Sequence, residues 1–553
     1  MLVNGNDDLP LSTKMFAHKA ARSVTAVQHN INTVADVVVL LEVLGYNKDV
    51  IMKNGFEDQY DLARYIYEFI DVYDDKNAEN SQSSLLKVPS TRIRIVEGVS
   101  MMFPWLSSLA VLFISGVSLW MAWVLPAEVS TAFLAGVFIG LVMTEGPLQS
   151  STRLFSFYYT QANMGEVKRI VKRNYSMIIL ILALIIVSLY AAGIFMNIPT
   201  SLLIVTAIST ITISLHRASY MIIYGTRKFR DFIPAYAGAL AALLVVYYTL
   251  PTLVYSTFPE LVEDVTMRYF VALGAAFIVL SIPALYRHHE IMTKSSLSAM
   301  AGETPHFFTP ISIGDKTIKS RVGVQLWETT PYFLFGTFYL LMLFTDRIIS
   351  WFFNPTTVME GAALPFRLNA IYHAGADPAL LVLLLASIIQ YVMVAPIYEQ
   401  VNNMAVRLKA TQMKEINQFL QSRYMKIFLT SIIPSVIVAT ILLFIAPEII
   451  KYTWGSEISI YVLRVALISN ILMSIFILNS MFMILMKRVK TLAVIAIIAT
   501  LIVALGGFIL AHSGFENIVF AYLASTMIAA ITSALFVLKD IKYGSSILFA
   551  RFV

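Results

Sequence analysis

The chain has 553 residues, of which 58% are hydrophobic and only 13% are charged, and its mean hydropathy is +0.74. A globule of this size with so few charges would not stay soluble, whereas a bilayer accepts such a surface, so the composition predicts a polytopic membrane protein. Cysteine is absent, which excludes disulfides and thiolate chemistry, and we read the net charge of +6 as a topology signal rather than as a nucleic-acid-binding surface.

The first 95 residues differ in kind from the rest of the chain. Apolar residues recur at helical spacing over residues 15–46 and 59–73, and the polar stretch 74–90 is typical of a flexible linker. We therefore predict that residues 1–95 form a small cytoplasmic helical domain with its linker. Three roles fit this domain: docking a cytoplasmic glycosyltransferase or another export subunit, forming oligomers, or shielding the cytoplasmic loops as a passive cap.

Twelve apolar runs of about 20 residues follow, which is the length that a helix needs to cross a bilayer. Helices rather than strands are expected, because lipid requires the backbone groups of each segment to be satisfied within that segment. The fold class is therefore predicted to be all-α. The predicted spans are residues 100–124, 128–148, 175–197, 200–224, 232–254, 266–286, 330–353, 379–399, 425–446, 460–486, 491–512 and 517–538.

The loops differ in charge between the two ends of these spans. Basic residues such as Arg169, Arg227 and Lys487 follow the second, fourth and tenth spans, while acidic residues such as Glu260 and Glu457 lie in loops at the opposite end. Because cytoplasmic loops carry an excess of Lys and Arg, we predict a multi-pass protein of the cytoplasmic membrane with both termini in the cytoplasm.

The membrane part of the sequence contains an internal repeat. Three residues recur at one offset of 249 positions, and in both copies the last of them opens a long apolar run. They are Pro147, Glu166 and Tyr175, which return as Pro396, Glu415 and Tyr424. Because six is an even number of spans, both copies enter the membrane from the same side, which predicts two parallel six-helix halves. We place them at residues 96–290 and 327–553, joined by a cytoplasmic linker over 291–326.

This arrangement resembles a known group of transporters. The six-plus-six spans, the prolines in spans two and eight, the basic segments before spans three and nine and the short basic turns after spans four and ten resemble the multidrug/oligosaccharidyl-lipid/polysaccharide (MOP) exporter superfamily. The likeness covers roughly residues 92–545. The stretch Tyr-Leu-Leu-Met-Leu-Phe-Thr-Asp-Arg-Ile-Ile-Ser-Trp-Phe-Phe over residues 339–353, with the outer segment up to 374, is similar to the PelG-type membrane subunits of Pel polysaccharide export. The resemblance implies alternating access that exports or flips a polysaccharide or lipid-linked oligosaccharide.

Polar and charged side chains inside the spans are the candidates for a substrate cavity, because each is costly to insert and needs a partner or a function. Asp346 and Arg347 lie well inside the seventh span, and neighbouring helix positions point about 100° apart, so we expect each to need another partner; a structural ion pair is the alternative. His216 and Arg217 in the fourth span would meet a phosphate or a sugar hydroxyl, with snorkelling as the alternative. Gln390 is expected to bond a sugar or to bridge helices.

Prolines near the basic ends of spans two and eight predict breaks in these helices. Glu145 lies two positions before the first of them, Pro147, and Glu399 lies three positions after the second, Pro396. Carbonyl groups at such breaks can coordinate a cation, so these four residues are candidates for gating or ion coupling, with hinging alone as the alternative. Glu328, at the entry of the seventh span, is a further candidate, with a purely interfacial position as its alternative.

Enzyme motifs are missing from the sequence. No G-x-x-x-x-G-K-[ST] string occurs, and the outer loops are short apart from residues 354–378, in which His373 and Asp377 lack a third partner for a metal ion. We therefore expect no enzyme, no metal and no cofactor. The exporter hypothesis ranks first. An ion-coupled small-molecule (multidrug) antiporter of the same superfamily is the alternative, favoured by a carboxylate in the first span, and residues 98–125 contain none. A membrane-embedded glycosyltransferase or acyltransferase ranks third.

Overall fold

A computed structural model defines the architecture of the chain. It describes residues 10–27, 31, 33–44, 46, 48–68, 90–122, 124–160, 163–254, 264–293, 322–355, 364–407, 413–453 and 456–542. Within these ranges the regular structure is helical, apart from one isolated bridge between Val117 and Ala122, so the predicted all-α class is confirmed.

Four helices precede the membrane part: α1 Leu11–Val27, α2 Val34–Val43, α3 Lys48–Lys53 and α4 Gln59–Tyr67. They share a core of their own, in which Leu41, Ile51 and Leu62 are fully buried. The helical part of the N-terminal prediction is thus confirmed. The predicted linker at 74–90 lies outside the described residues except for Ser90, and so do positions 294–321 of the predicted linker between the halves, whose described flanks are helical.

Twelve helices of the described chain are long and apolar enough to cross a membrane. The helices of the membrane part are α5 Thr91–Ser115, α6 Ala127–Thr160, α7 Met164–Phe195, α8 Thr200–Thr226, α9 Phe232–Val254, α10 Val265–Thr293, α11 Val322–Phe352, the short α12 Ala370–Ala376, α13 Leu381–Arg407, α14 Met413–Thr453, α15 Glu457–Leu485, α16 Val489–Ala511 and α17 Ile518–Lys542. Large apolar side chains on α7 and α14 are exposed, so these helices face the lipid.

The predicted breaks at the two prolines are wrong. Helix α6 continues past Pro147 to Thr160, and α13 continues past Pro396 to Arg407. A membrane helix tolerates an internal proline because neighbouring helices and serine or threonine side chains compensate for the lost backbone bond. Next to the first proline, the Ser150 hydroxyl donates to the Gly146 carbonyl at 3.0 Å. The basic segments before spans three and nine are likewise the first turns of α7 and α14 rather than separate linkers.

The first span begins and ends nine residues earlier than predicted. Helix α5 ends at Ser115, because Gly116 adopts a left-handed conformation (φ 76°) that a side chain disfavours. The following residues turn back into the bundle, where Val117 and Leu119 are fully buried, and the Tyr269 hydroxyl donates to the Ser118 carbonyl at 2.8 Å. The predicted helix extends to residue 124 because the residues after Ser115 are as apolar as the helix. Residues 117–122 instead form a short buried hairpin, closed by the bridge between Val117 and Ala122.

The membrane helices form two bundles, α5 to α10 and α11 to α17. In the first bundle α6 packs most extensively on α8, while in the second α11 packs on α16 and α15 on α17. The bundles meet through α6 with α11 and through α5 with α13. Close approach needs a glycine at Gly336, since a Cβ there would lie 2.7 Å from Cγ of Gln149.

The two ends of the molecule are named by their loops. The basic end carries the turns at residues 227–230 and 487–490, and the opposite end carries those at 196–199 and 512–514. At the basic end Arg173 donates to Gln325 of the second bundle at 2.7 Å. At the opposite end the Leu368 amide donates to the Thr131 hydroxyl of the first bundle at 2.9 Å. The bundles therefore touch at both ends.

Candidate functional site

An aromatic chamber lies inside the first bundle, between α5, α6, α8 and α9. Its wall contains two stacked indoles, Trp105 of α5 and Trp120 of the buried hairpin, whose ring centroids are 5.8 Å apart. The remaining lining residues are Met101, Pro104, Leu141, Leu148, His216, Arg217, Tyr220, Tyr224, Phe232 and Tyr236. Flat aromatic faces and a few polar groups are typical of small-molecule and cofactor sites.

A buried ion pair joins α6 to α8 at this chamber. The Arg217 Nη2 group bonds Oε2 of Glu145, and the Gln149 amide donates to Oε1 of the same carboxylate at 2.7 Å. The two helices are held close because Thr206 and Thr210 of α8 donate their hydroxyls to carbonyls of α6. Only 19% of the Arg217 side chain and 9% of the Glu145 side chain are exposed, so charge pairing rather than snorkelling places the arginine.

Sequence reasoning named both residues but assigned them to separate groups. Glu145 was considered as an ion-coupling candidate beside Pro147, and Arg217 as a substrate-cavity candidate. They are 72 positions apart, and their pairing depends on the packing of α6 on α8. One signal was available: two opposite charges occupy the inner parts of spans that belong to the same half, and such charges usually pair with one another.

Three nitrogen atoms of the chamber residues are buried without a hydrogen-bond partner among the described residues: His216 Nδ1, Arg217 Nε and Trp120 Nε1. The other ring nitrogen of His216, Nε2, lies 2.8 Å from the Tyr236 hydroxyl. Indole and guanidinium nitrogens only donate, so the chamber offers unused donors to water or to a hydroxyl or acidic group.

The chamber is closed in this conformation. Its volume is about 40 Å³, which accommodates a few water molecules but not a sugar ring. Trp105 is 39% exposed, so the wall that α5 provides is only partly covered. Entry of a larger ligand therefore requires α5 or the contact between the bundles to move.

A second charged cluster lies in the other bundle, near the opposite end. Arg347 of α11 is the largest fully buried side chain of the described chain. It donates through Nε to Asp377 at 2.8 Å, through Nη2 to the Ala376 carbonyl at 2.9 Å, and through Nη1 to the adjacent Asp346 at 3.1 Å. The Tyr372 hydroxyl donates to the other oxygen of Asp346 at 2.8 Å. The two adjacent residues do bond each other, and the expectation that each needs a further partner is confirmed, because Arg347 also bonds Asp377 and Asp346 also accepts from Tyr372.

This cluster includes two residues of the outer segment that the sequence left without partners. His373 of α12 has its Nδ1 2.8 Å from Asp377, and its Nε2 accepts a hydrogen bond from the Trp351 indole at 2.8 Å. Among the described residues no three His, Asp or Glu side chains are placed to hold a metal ion. The arrangement joins α12 to α11.

The other sequence candidates lie apart from both clusters. Gln390 is buried and donates to the Ser474 carbonyl at 2.8 Å, so it bridges α13 and α15. Glu328 is exposed at the start of α11. Pro147 and Pro396 are interior helix residues, and Glu399 lies on α13, with its side chain outside the described part of the structure. The chamber thus unites only His216, Arg217 and Glu145.

Solved structures identify the fold, although no family model and no curated protein sequence matches the chain. The outward-facing conformation of a multidrug resistance MATE family transporter of the MOP superfamily is 13% identical, with a TM-score of 0.55, over 82% of this chain and 96% of that one. A MATE in the bent conformation is 14% identical, with a TM-score of 0.53, over 84% and 97%.

A third similar structure is a MOP superfamily transporter from Pyrococcus furiosus, described as having a binding pocket of reverse polarity that suggests a different function. It is 13% identical, with a TM-score of 0.53, over 82% of this chain and 96% of that one. At such identities the likeness establishes the fold. The chain shares the helical fold of these three solved structures over more than four-fifths of its length.

Proposed function

We propose that this chain is a membrane transporter that exports or flips a polysaccharide or a lipid-linked oligosaccharide from the cytoplasmic to the outer face by alternating access. The single observation that carries the proposal is the aromatic chamber of the first bundle, which contains a buried arginine, in a fold whose solved examples are described as transporters. The similarity of residues 339–353 to PelG-type subunits supports the choice of a glycan.

The chamber suits a saccharide for two physical reasons. The stacked indoles of Trp105 and Trp120 present flat apolar faces, against which the C–H face of a sugar ring can lie. Arg217 presents a planar fork of donors that matches a carboxylate or a phosphate, and the unpaired Nε atom and indole nitrogen add donors for hydroxyl groups. An acidic sugar or a sugar phosphate would compete with Glu145 for the guanidinium.

The bundle contacts support the alternating-access mechanism. Contacts between the halves occur at both ends, where single bonds such as that of Arg173 to Gln325 cross the boundary, and between the two ends α6 packs along α11 and α5 along α13. Glu145 itself lies at this boundary, because its backbone carbonyl oxygen would be 3.2 Å from a Cβ atom placed on Gly336 of α11. A ligand that takes Arg217 from Glu145 would therefore alter a helix face that packs on the second bundle.

A small-molecule antiporter is the second candidate, and one observation favours it. We expected no carboxylate in the first span, but that expectation is wrong, because α5 begins at Thr91 and includes Glu97. The Glu97 carboxylate accepts a bond from the Tyr391 hydroxyl of the second bundle at 3.4 Å. Glu97 and Glu145 both lie on helices that pack against the second bundle, and carboxylates inside spanning helices mark ion or proton pathways.

The placement of the chain in the cell belongs to the same proposal. The protein would lie in the cytoplasmic membrane with its basic end facing the cytoplasm and with both termini in the cytoplasm, as the loop charges predict. Residues 1–95 would dock a cytoplasmic glycosyltransferase or another export subunit. Their separate core supports a role that does not depend on the bundles.

The test uses cells of the source organism that lack this protein. We expect surface glycan to be lost while glycan or its lipid-linked precursor accumulates inside, because synthesis would continue without export. Surface glycan and internal precursor are measured in parallel, with the wild-type gene returned as the control. Unchanged surface glycan together with raised sensitivity to cationic dyes would contradict the proposal and favour the antiporter.

A further inference from the structure

One tryptophan makes an aromatic contact between the bundles near the opposite end. Trp351 of α11 is 3% exposed and stacks on Phe138 of α6, with ring centroids 5.4 Å apart and ring planes 11° from parallel. It also packs against Leu134 and Ala135 of α6. Its indole is therefore part of the surface by which the second bundle approaches the first at this end, beside the bond of the Leu368 amide to Thr131.

We propose that His373 is a proton-binding site that acts as a switch of this contact: neutral His373 holds Trp351 against the first bundle, and a second proton on His373 releases it. The proposal goes beyond the transport of a glycan, since it concerns the closure of the two bundles whatever the substrate is. It rests on the chain of contacts from Asp377 through His373 and Trp351 to Phe138.

The hydrogen bonds define the protonation state of His373 in this structure. An indole nitrogen only donates, so the imidazole Nε2, 2.8 Å from the Trp351 indole, must be an acceptor without a proton. The proton of the neutral ring is then on Nδ1, which donates to Asp377 at 2.8 Å. A further proton can only bind Nε2, where it would place two N–H groups face to face and break the bond to Trp351.

The charged groups around His373 form one connected cluster. Arg347 contributes one positive charge, whereas Asp346 and Asp377 each contribute a negative charge, so the cluster has a net charge of −1 while His373 is neutral. A second proton on His373 would bring this net charge to zero and would cost the hydrogen bond from the Trp351 indole.

One further charged residue of the described chain lies next to Trp351: the Arg367 amide donates to the Trp351 carbonyl at 3.1 Å, and the Arg367 side chain is partly buried. The other described groups around α12 are neutral or exposed. Tyr372 of α12 itself donates to Asp346, and Tyr522 of α17 donates to Asn470. Helix α15 packs on α12, but its charged residues near this end, Glu457 and Arg464, are exposed. Asp377 is the entry point for a proton, because 38% of its side chain is exposed while His373 is buried.

The experiment measures the distance between the bundles as a function of pH. The chain has no cysteine, so a spin-label pair can be attached to cysteines introduced at Ala127 and Ile458, both exposed near the opposite end. The purified full chain is measured in lipid nanodiscs without any substrate. Between about pH 8 and about pH 5 the short-distance population should fall by about tenfold, the factor expected for one net hydrogen bond.

Three variants identify the group that titrates. In His373→Gln the amide oxygen can still accept from Trp351 while the amide N–H donates to Asp377, so the short distance should persist at every pH. Trp351→Phe keeps a ring against Phe138 but has no N–H, so its pH response should disappear even though the fold is kept. The matched control His512→Gln removes an exposed histidine at the same end and should respond like the wild type.

Two results would overturn the proposal. One is a wild-type distance that stays constant over this pH range, and the other is a pH response that survives in His373→Gln. Because no substrate is present, either result leaves the proposed glycan transport untouched. Loss of glycan transport in a variant with a normal pH response would instead concern only the proposed function.

Discussion

The two bundles hold their buried charges in different ways, although both derive from one repeated sequence pattern. In the first bundle Arg217 pairs with Glu145 in the wall of a cavity, and a fifth of its side chain is exposed. In the second bundle Arg347 is 1% exposed and donates to two carboxylates and two backbone carbonyls. The difference separates a charge that a ligand can reach from a charge that holds helices together.

The repeat does not carry either cluster across to the other half. The offset of 249 places Val394 opposite Glu145, and the offset of 260 between the basic turns places Ile477 opposite Arg217. The repeated pattern thus predicts the helices and their order. It does not predict the charged pair of the first half, because the corresponding positions of the second half are apolar. A transporter of this fold with one ligand-accessible half and one structural half is the account that the following predictions test.

Arg347→Ala should have the largest effect, and it should act on stability. Removal of the guanidinium leaves Asp346 buried without a cation, which is expected to lower the free energy of unfolding by about 3–5 kcal/mol. Thermal unfolding of the purified protein in detergent measures the change. Arg464→Ala, an exposed arginine on α15, is the control and should change it by less than about 0.5 kcal/mol. A stable Arg347→Ala protein that has lost only transport would break the distinction between the bundles.

Arg217→Ala should reduce transport while the protein stays folded. A charge-assisted hydrogen bond to the substrate is worth about tenfold to hundredfold in rate, and the Gln149 amide still donates to Glu145 when Arg217 is gone. Arg217→Lys should recover part of the activity, since it keeps the charge but loses the planar fork. Transport into vesicles is measured at equal protein amounts, with the exposed Arg230→Ala as control. Wild-type transport in Arg217→Ala would remove the anionic-ligand site.

Trp105→Ala should have a moderate effect, confined to substrate binding. Loss of one aromatic face is expected to raise the substrate KM by about twofold to tenfold, and Trp105→Tyr should lie between this variant and the wild type. Trp327→Ala, a 72% exposed indole outside the chamber, is the matched control. An equal rise in KM for both alanine variants would point to a general effect of surface aromatics on the membrane protein.

Deletion of residues 1–90 should have the smallest effect on transport itself. The N-terminal helices have a separate core, so reconstituted vesicles should keep their transport rate, while export in cells should weaken if the domain docks a partner. The two assays are compared with the full chain in the same membranes. An equal loss in both settings would make the domain a part of the transport machine.

Sequence reasoning recovered the scaffold better than the site. Twelve spans and the helical N-terminal region follow from apolar periodicity, which is a local property. The hairpin at Val117 was missed because its residues are as apolar as a helix, and the pairing of Glu145 with Arg217 was missed because it depends on how two helices pack. For His373 and Asp377 the sequence shows only that a third metal ligand is lacking, and it does not reveal their partners Arg347 and Trp351, which come from another helix.

The measurement that tests the central claim most directly compares Arg217→Gln and Arg464→Gln in cells that lack the wild-type protein, with equal amounts of each variant in the membrane. The account predicts that with Arg217→Gln surface glycan stays as low as in cells without the protein, and that glycan precursor accumulates inside. Arg464→Gln should restore export. Full restoration of surface glycan by Arg217→Gln would contradict the account, because the chamber of the first bundle would then not hold the transported glycan.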